Sequence, residues 1–254
     1  MAMRDEAPTL ALLILVYATF VGLTLAAASL PLWVIIPALA AIIGLHSSLQ
    51  HEVLHGHPFR NQTLSDTTVF PALGLFIPYL RFKDTHLAHH YDPNLTDPYD
   101  DPETNYLDII HWNALPAWRQ KLAVFNNTLV GRMLVGPILG LAAFYAGDLR
   151  AMLSGNRRIW ASYGLHMIGA SVPLAWVIWA TPLPIWAYLL AAYGAMSLLK
   201  IRTYLEHQAH ERAAGRSVII EDRGPLALLF LNNNYHAVHH AHPGVPWHQQ
   251  PALF

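Results

Sequence analysis

Residues 10–55 read LALLILVYATFVGLTLAAASLPLWVIIPALAAIIGLHSSLQHEVLH. From Leu10 to Gln50 the chain runs 41 residues without Asp, Glu, Lys or Arg. One spanning helix needs roughly 20 apolar residues, so the run is the length of two crossings. Ser29, Leu30 and Pro31 supply the turn between them. A cleavable signal peptide has a core of only ~7–15 residues, and Arg4 is the one basic residue ahead of this run, so a transmembrane hairpin is the better reading. The hairpin delivers the chain directly into His51-Glu52-Val53-Leu54-His55.

The pattern recurs downstream. Ile159 to Leu199 is again 41 residues without a charge, broken at Thr181-Pro182-Leu183-Pro184, and it leads into Lys200, Arg202 and His207. Two hairpins return the chain to the side it left, which places all 15 Lys and Arg residues on one side. That side is cytoplasmic by the positive-inside bias. Shorter apolar runs, Thr67 to Leu80 and Met133 to Gly147, are marginal for spanning and read as interfacial or re-entrant, with Arg132 and Arg150 snorkelling beside the second. Trp33, Trp160, Trp176, Trp179 and Trp186 read as interface anchors and packing residues. The expected fold is an all-α integral membrane protein with two transmembrane helical hairpins, four spanning helices, a cytosolic histidine-rich cap and interfacial helices. One domain, 1–254, is expected. It divides into the first hairpin (10–50), a cytosolic and interfacial segment (51–158), the second hairpin (159–199) and a cytosolic tail (200–254).

The chain is 54% hydrophobic, 12% charged and close to neutral, which gives no reason to expect a nucleic-acid partner. It has no cysteine, which excludes disulfides, thiolate-held iron–sulfur clusters and a thiol nucleophile. Neither a Gly-x-Gly-x-x-Gly fingerprint nor a P-loop is present. Any redox chemistry must therefore draw its electrons from another protein.

Nine of the 16 histidines form a spaced set: His51 and His55; His86, His89 and His90; His207; His236, His239 and His240. On a helix, residues i, i+3 and i+4 share a face, so each group aims two or three imidazoles at one region. Imidazole suits zinc, copper, iron and nickel, and a zinc site takes about three or four protein ligands. Nine candidates are too many for one ion. Metal-bound imidazoles need a hydrogen-bond acceptor on their far nitrogen. Between Asp84 and Trp118 the chain carries several acids but no Lys or Arg, and there Asp92 and Asp97 are the candidates nearest a histidine group. The remaining acids of the stretch read as a solvated loop. Glu52, between two histidines, is a similar candidate.

Quoted together, His51-Glu52-Val53-Leu54-His55-Gly56, His86-Leu87-Ala88-His89-His90 and Asn234-Tyr235-His236-Ala237-Val238-His239-His240 resemble the three histidine boxes of the membrane fatty acid desaturase and hydroxylase superfamily. The order of boxes and hairpins is similar over nearly the whole chain. The resemblance implies a non-haem di-iron centre with histidine ligands at the cytosolic helix ends, and O2 as co-substrate. It also implies a ninth histidine ahead of the last box, which His207 fits best. Animal acyl-CoA members carry an asparagine where this chain has Thr203, so His210 or Glu206 stays open as completing that position. The tail His239-His240-Ala241-His242-Pro243-Gly244-Val245-Pro246-Trp247 is similar both to bacterial desaturases and to carotenoid ketolases.

His57 and His242 read either as donors behind the ligands or as helix-end caps. One of Asn232, Asn233 and Asn234 can orient an imidazole, or all three simply end a helix. His46 reads as a bundle-interior group, and His111, His166 and His248 as structural.

The implied activity is O2-dependent desaturation of a lipid or thioester acyl chain, with lipid hydroxylation second and carotenoid oxygenation third. The expected partners are a bilayer lipid and an external donor such as ferredoxin or cytochrome b5 with its reductase. The expected location is a bacterial inner membrane with the site facing the cytoplasm. Two rivals follow from the residues themselves. His51-Glu52-Val53-Leu54-His55 also satisfies the His-Glu-x-x-His pattern of zinc proteases, which leaves His86, His89, His90, His236, His239 and His240 without a role. A metal carrier would want polar groups along a spanning path, and neither hairpin supplies them.

Overall fold

The computed structural model describes residues 6–104, 106–212 and 215–254. Four long helices form two antiparallel pairs: α1 (Ala7–Ala26) with α2 (Leu32–Leu54), and, after the intervening segment, α9 (Arg157–Ala180) with α10 (Ile185–Leu205). Between the pairs lie α3 (Gln62–Thr68), α4 (Tyr79–Tyr91), α5 (Ile109–Ala114), α6 (Ala117–Asn126), α7 (Leu129–Leu134) and α8 (Gly136–Leu153). Short helices α11 (Pro225–Leu229) and α12 (His236–Ala241) follow the second pair. Among the described residues the only strand-like pairing is a single bridge between His207 and Ser217.

The core is the seam between α2 and α10. Ala187, Ala191, Ala192 and Ala195 of α10 are buried with Ile35, Leu39 and Ile43 of α2. Small residues let helix backbones approach closely where lipid removes the hydrophobic drive to associate. At Gly194 the approach is tight enough that a Cβ would stand 3.1 Å from that of Ala40. The ends of α1 and α9 are joined where Trp176 Nε1 donates to Thr24 Oγ1 at 2.9 Å, so both turns lie at one end of the bundle. Ile14, Trp33, Met167 and Trp179 are exposed on the outer faces, where acyl chains would lie. The opposite end receives the C-termini of α2 and α10 and with them the histidines.

Three helices, α1, α2 and α9, are long and apolar enough to cross a membrane. The fourth expected span, α10, does not meet that measure, although its 21 residues are long enough, because Lys200 and Arg202 occupy its last turns. The expected marginal piece at Met133–Gly147 is instead an 18-residue helix, α8, carrying Asp148 in a buried ion pair with Arg81 at 2.8 Å. Arg150 is exposed, as snorkelling requires, but Arg132 is turned inward and only 7% exposed.

Thr67 to Leu80 unwinds after α3 and tucks among the long helices. Non-helical backbone at membrane depth needs its carbonyls satisfied by protein. Tyr17 Oη donates to Thr68 O at 2.9 Å, Tyr188 Oη to Leu73 O at 2.8 Å, and His166 Nε2 to Leu75 O at 2.7 Å. Ala72 N donates to Gly169 O, and the carbonyl of Phe70 lies so close to Gly169 that a Cβ there would stand 2.5 Å from it. His166 is therefore structural, as is His46, whose Nε2 meets Tyr17 Oη at 3.0 Å.

Candidate metal centre

The three boxes come from different helix ends. Helix α2 ends at Leu54 with His55 as its C-cap, and Gly56 beyond it takes a φ of 104°, the conformation of a helix-terminating glycine. That stop holds His51 and His55, one turn apart, at the end of the bundle. Helices α4 and α12 carry the other two boxes, and His207 follows α10 directly.

Potential ligand atoms converge in two groups, each within 4.8 Å: His51, His55, His86, His90 and His239 in one, His89, His207, His236 and His240 in the other. Successive residues on a helix point about 100° apart, so the paired histidines of one box separate. His89 and His90 go to different groups, and so do His239 and His240. The groups abut where His90 and His240 stack with ring centroids 4.2 Å apart.

Spacing within each group tests what it can hold. Nε2 to Nε2 distances are 3.0 Å for His86 and His90, 3.0 Å for His90 and His239, 2.9 Å for His89 and His207, 2.9 Å for His207 and His236, and 3.1 Å for His236 and His240. Two nitrogens about 2.0–2.1 Å from one ion are about 2.9 Å apart at a right angle and about 3.4 Å apart at a tetrahedral angle. The observed spacing fits right-angled coordination. The Nε2 atoms of His51 and His55 are buried without a hydrogen-bond partner, and such orphans are what an ion would satisfy.

The far nitrogens face outward to protein. His89 Nδ1 donates to Asp101 Oδ1 at 2.7 Å, His86 Nδ1 to Glu103 Oε1 at 3.1 Å, His207 Nδ1 to Arg216 O at 3.2 Å and His236 Nδ1 to Asn233 Oδ1 at 3.2 Å. The Gln250 amide lies 3.4 Å from His239 Nδ1. In His86, His89, His207 and His236 the acceptor on Nδ1 fixes the tautomer with the Nε2 lone pair inward. Burial and then the neighbouring imidazoles push His55, His90 and His240 down to about 2, and burial with His89 pushes His207 down to about 4, so these rings are neutral near pH 7. His89 moves the other way: burial lowers it, but the Asp101 bond and the nearby acids outweigh that.

The acidic stretch supplies the expected acceptors from unexpected positions. Asp92 Oδ1 accepts from Asn94 N, and Asp97 Oδ1 from Tyr99 N and Asp100 N, so both build turns and neither reaches an imidazole. Asp101 and Glu103 take that role. They lie in a loop, where helical spacing from the box gives no guide. Glu52 is buried but accepts from Trp247 N at 2.9 Å, tying the tail to α2 instead of orienting a ligand. His57 is buried against Glu6, its Nδ1 donating at 2.8 Å.

Glu206 lies 2.8 Å from Arg202 and accepts from Asn233 Nδ2 at 2.6 Å, so Arg202, Glu206 and Asn233 form a chain ending on His236. Thr203 Oγ1 is buried without a partner and lines a cavity that also reaches His207. His210 is exposed and bonded to Arg212, and it stands outside both groups. His242 is likewise exposed beyond the end of α12. Asn234 Nδ2 donates to Ile220 O and Asp222 O, and Asn232 Nδ2 to Trp247 O, so both are structural.

No curated protein matches the chain. The sequence profile of one family, described as fatty acid desaturase, matches residues 27–254. The match covers most of the chain, including all three histidine boxes and His207, and the protein belongs to the fatty acid desaturase family of oxidoreductases.

Proposed function

We propose that the protein is an O2-dependent, non-haem di-iron enzyme that desaturates the acyl chain of a lipid or acyl thioester. The observation that carries this reading is the pair of abutting histidine groups, five imidazoles beside four, with right-angled spacing and outward-bonded Nδ1 atoms. One zinc ion would use one group and leave the other without purpose. Glu52, the general base that a zinc protease would need, is engaged with Trp247 N.

Two irons, when bound, supply the oxygen-activating redox chemistry that an unactivated C–H bond requires. His51, His55, His86, His90 and His239 would hold one, and His89, His207, His236 and His240 the other. Asp101, Glu103 and Asn233 keep the imidazoles oriented. A cavity of about 1540 Å³ runs beside the second group, lined by His207 and Thr203 and by apolar residues including Leu139, Phe144 and Met196. It is large enough for an acyl chain to lie against the histidines. Electrons come from outside the chain, from a ferredoxin or from cytochrome b5 with its reductase. The site faces the cytoplasm of a bacterial inner membrane, and α10 is the fourth crossing.

The test is a mass comparison of lipids from cells expressing the protein with those expressing His89→Ala. A product lacking two hydrogens, present only with the wild type, supports desaturation. A product with one added oxygen moves the assignment to hydroxylation, and no lipid difference despite full metal loading contradicts it.

A further inference from the structure

Arg132, buried, and Lys200, half-buried, are cations that take part in no ion pair among the described residues, although Glu103 and Glu206 stand near enough to Lys200 to act on it electrostatically. Arg132 is 7% exposed, its guanidinium lies 4.9 Å from the ring centre of Tyr204, and its Nε reaches only the Asn126 carbonyl, at 3.4 Å. Lys200 leaves α10 and runs across the glycine face of α8. A Cβ at Gly136 would stand 3.7 Å from Lys200 Cδ and 3.3 Å from Arg132 Cγ, and one at Gly140 would stand 3.6 Å from Lys200 Nζ. The two glycines are the room these side chains occupy. Ion pairs of Arg and Lys among the described residues join Arg81 to Asp148 and Asp84, Lys83 to Asp66, Arg158 to Asp84 and Arg202 to Glu206, and neither Arg132 nor Lys200 takes part.

An arginine cannot shed its proton, and an interior charge is costly unless it is paired. Both residues line the cavity that reaches His207; its carboxylates, Asp101, Glu103, Asp148 and Glu206, are engaged by His89, His86, Arg81 and Arg202, so Arg132 and Lys200 present donors to whatever enters it. Apolar walls alone would serve a neutral hydrocarbon, which gains nothing from two cations. We infer that Arg132 and Lys200 bind the ionised head of the substrate, a carboxylate or a phosphate monoester, so that the substrate is an anionic acyl lipid and not a carotenoid. The inference rests on the cavity being the substrate chamber of the proposed enzyme. A guanidinium fork beside an ammonium matches the oxygens of either group.

The test measures equilibrium binding to the purified resting protein, without reductant, of palmitate, its methyl ester and monopalmitoyl glycerol phosphate. One or both anions should bind at least about tenfold tighter than the ester, the scale of a buried charge-assisted hydrogen bond. Lys200→Met and Arg132→Gln should remove that preference while leaving ester binding unchanged, and Lys200→Arg should keep it. Whichever anion binds tighter identifies the head group. An ester that binds as well as both anions, or a Lys200→Met protein that loses all three ligands alike, overturns the inference. Because binding is read without turnover, a protein that holds two irons yet shows no preference refutes the anion site alone. A protein with the preference but one metal refutes the di-iron reading alone.

Discussion

His89 Nδ1 lies 2.7 Å from Asp101 Oδ1, and both side chains are almost wholly shielded from solvent. Asp101 is itself held by the backbone N–H groups of Thr96 and Glu103, at 2.9 Å each, so the imidazole is braced by a carboxylate that cannot swing away. The loop carrying it thereby becomes part of the cage.

Removing that brace should loosen the second group. Asp101→Ala is expected to weaken metal retention by about 10–100-fold, the usual effect of losing an orienting carboxylate. Asp92→Ala and Asp97→Ala should not, because those carboxylates cap turns. Competition with a chelator, read as metal retained per chain, checks all three.

The ninth ligand can be assigned by contrast. His207→Ala should cost one metal of the pair and all turnover, whereas His210→Ala should keep both, because His210 faces solvent and Arg212. Equal metal loss in the two variants would remove His207 from its place.

Glu52→Gln distinguishes an oxidase from a protease. The glutamine keeps an oxygen for Trp247 N, so metal content should be unchanged and turnover should fall by no more than about tenfold, the loss expected from weakening one hydrogen bond. A protease would lose nearly all activity with its general base.

Much of this was legible in the chain. The charge-free runs at Leu10–Gln50 and Ile159–Leu199 correspond to helices α1, α2, α9 and α10, of which α1, α2 and α9 are long and apolar enough to cross a membrane. The grouping of nine histidines was likewise readable, since helical periodicity aims them. What sequence does not give is anything that depends on loops: Asp92 and Asp97 lie nearer the histidines along the chain, but the loop carries Asp101 and Glu103 back to them. Arg132 looked like a snorkelling residue because its neighbours are apolar, yet the glycines of α8 open an interior place beside it. His57 gave no sign of its partner Glu6, which lies 51 residues away in sequence.

Acid should destabilise the metal-stripped protein. An imidazole in the unfolded chain titrates near 6.5, while His55, His90 and His240 sit at about 2 and His207 at about 4 in the fold. The unfolded state therefore takes up more protons below 6.5, and stability is full above that value and lost as pH falls toward 4. Each such imidazole adds to the loss in the same direction as pH falls below 6.5. His89, raised by Asp101, opposes this with a contribution present below 6.5 and lost as pH rises, but it is one ring against several. Thermal melting in detergent at about pH 7.5 and about pH 5 should give the lower midpoint in acid. An equal or higher midpoint there would refute the neutral, inward-facing imidazoles.

Metal analysis of protein loaded with ferrous iron under anaerobic conditions, combined with Mössbauer spectroscopy, addresses the paired cages directly. The account predicts two irons per chain in distinct, nitrogen-rich environments, falling to one when His207 is replaced by Ala. A single ion per chain, or zinc retained in preference to iron, would contradict it.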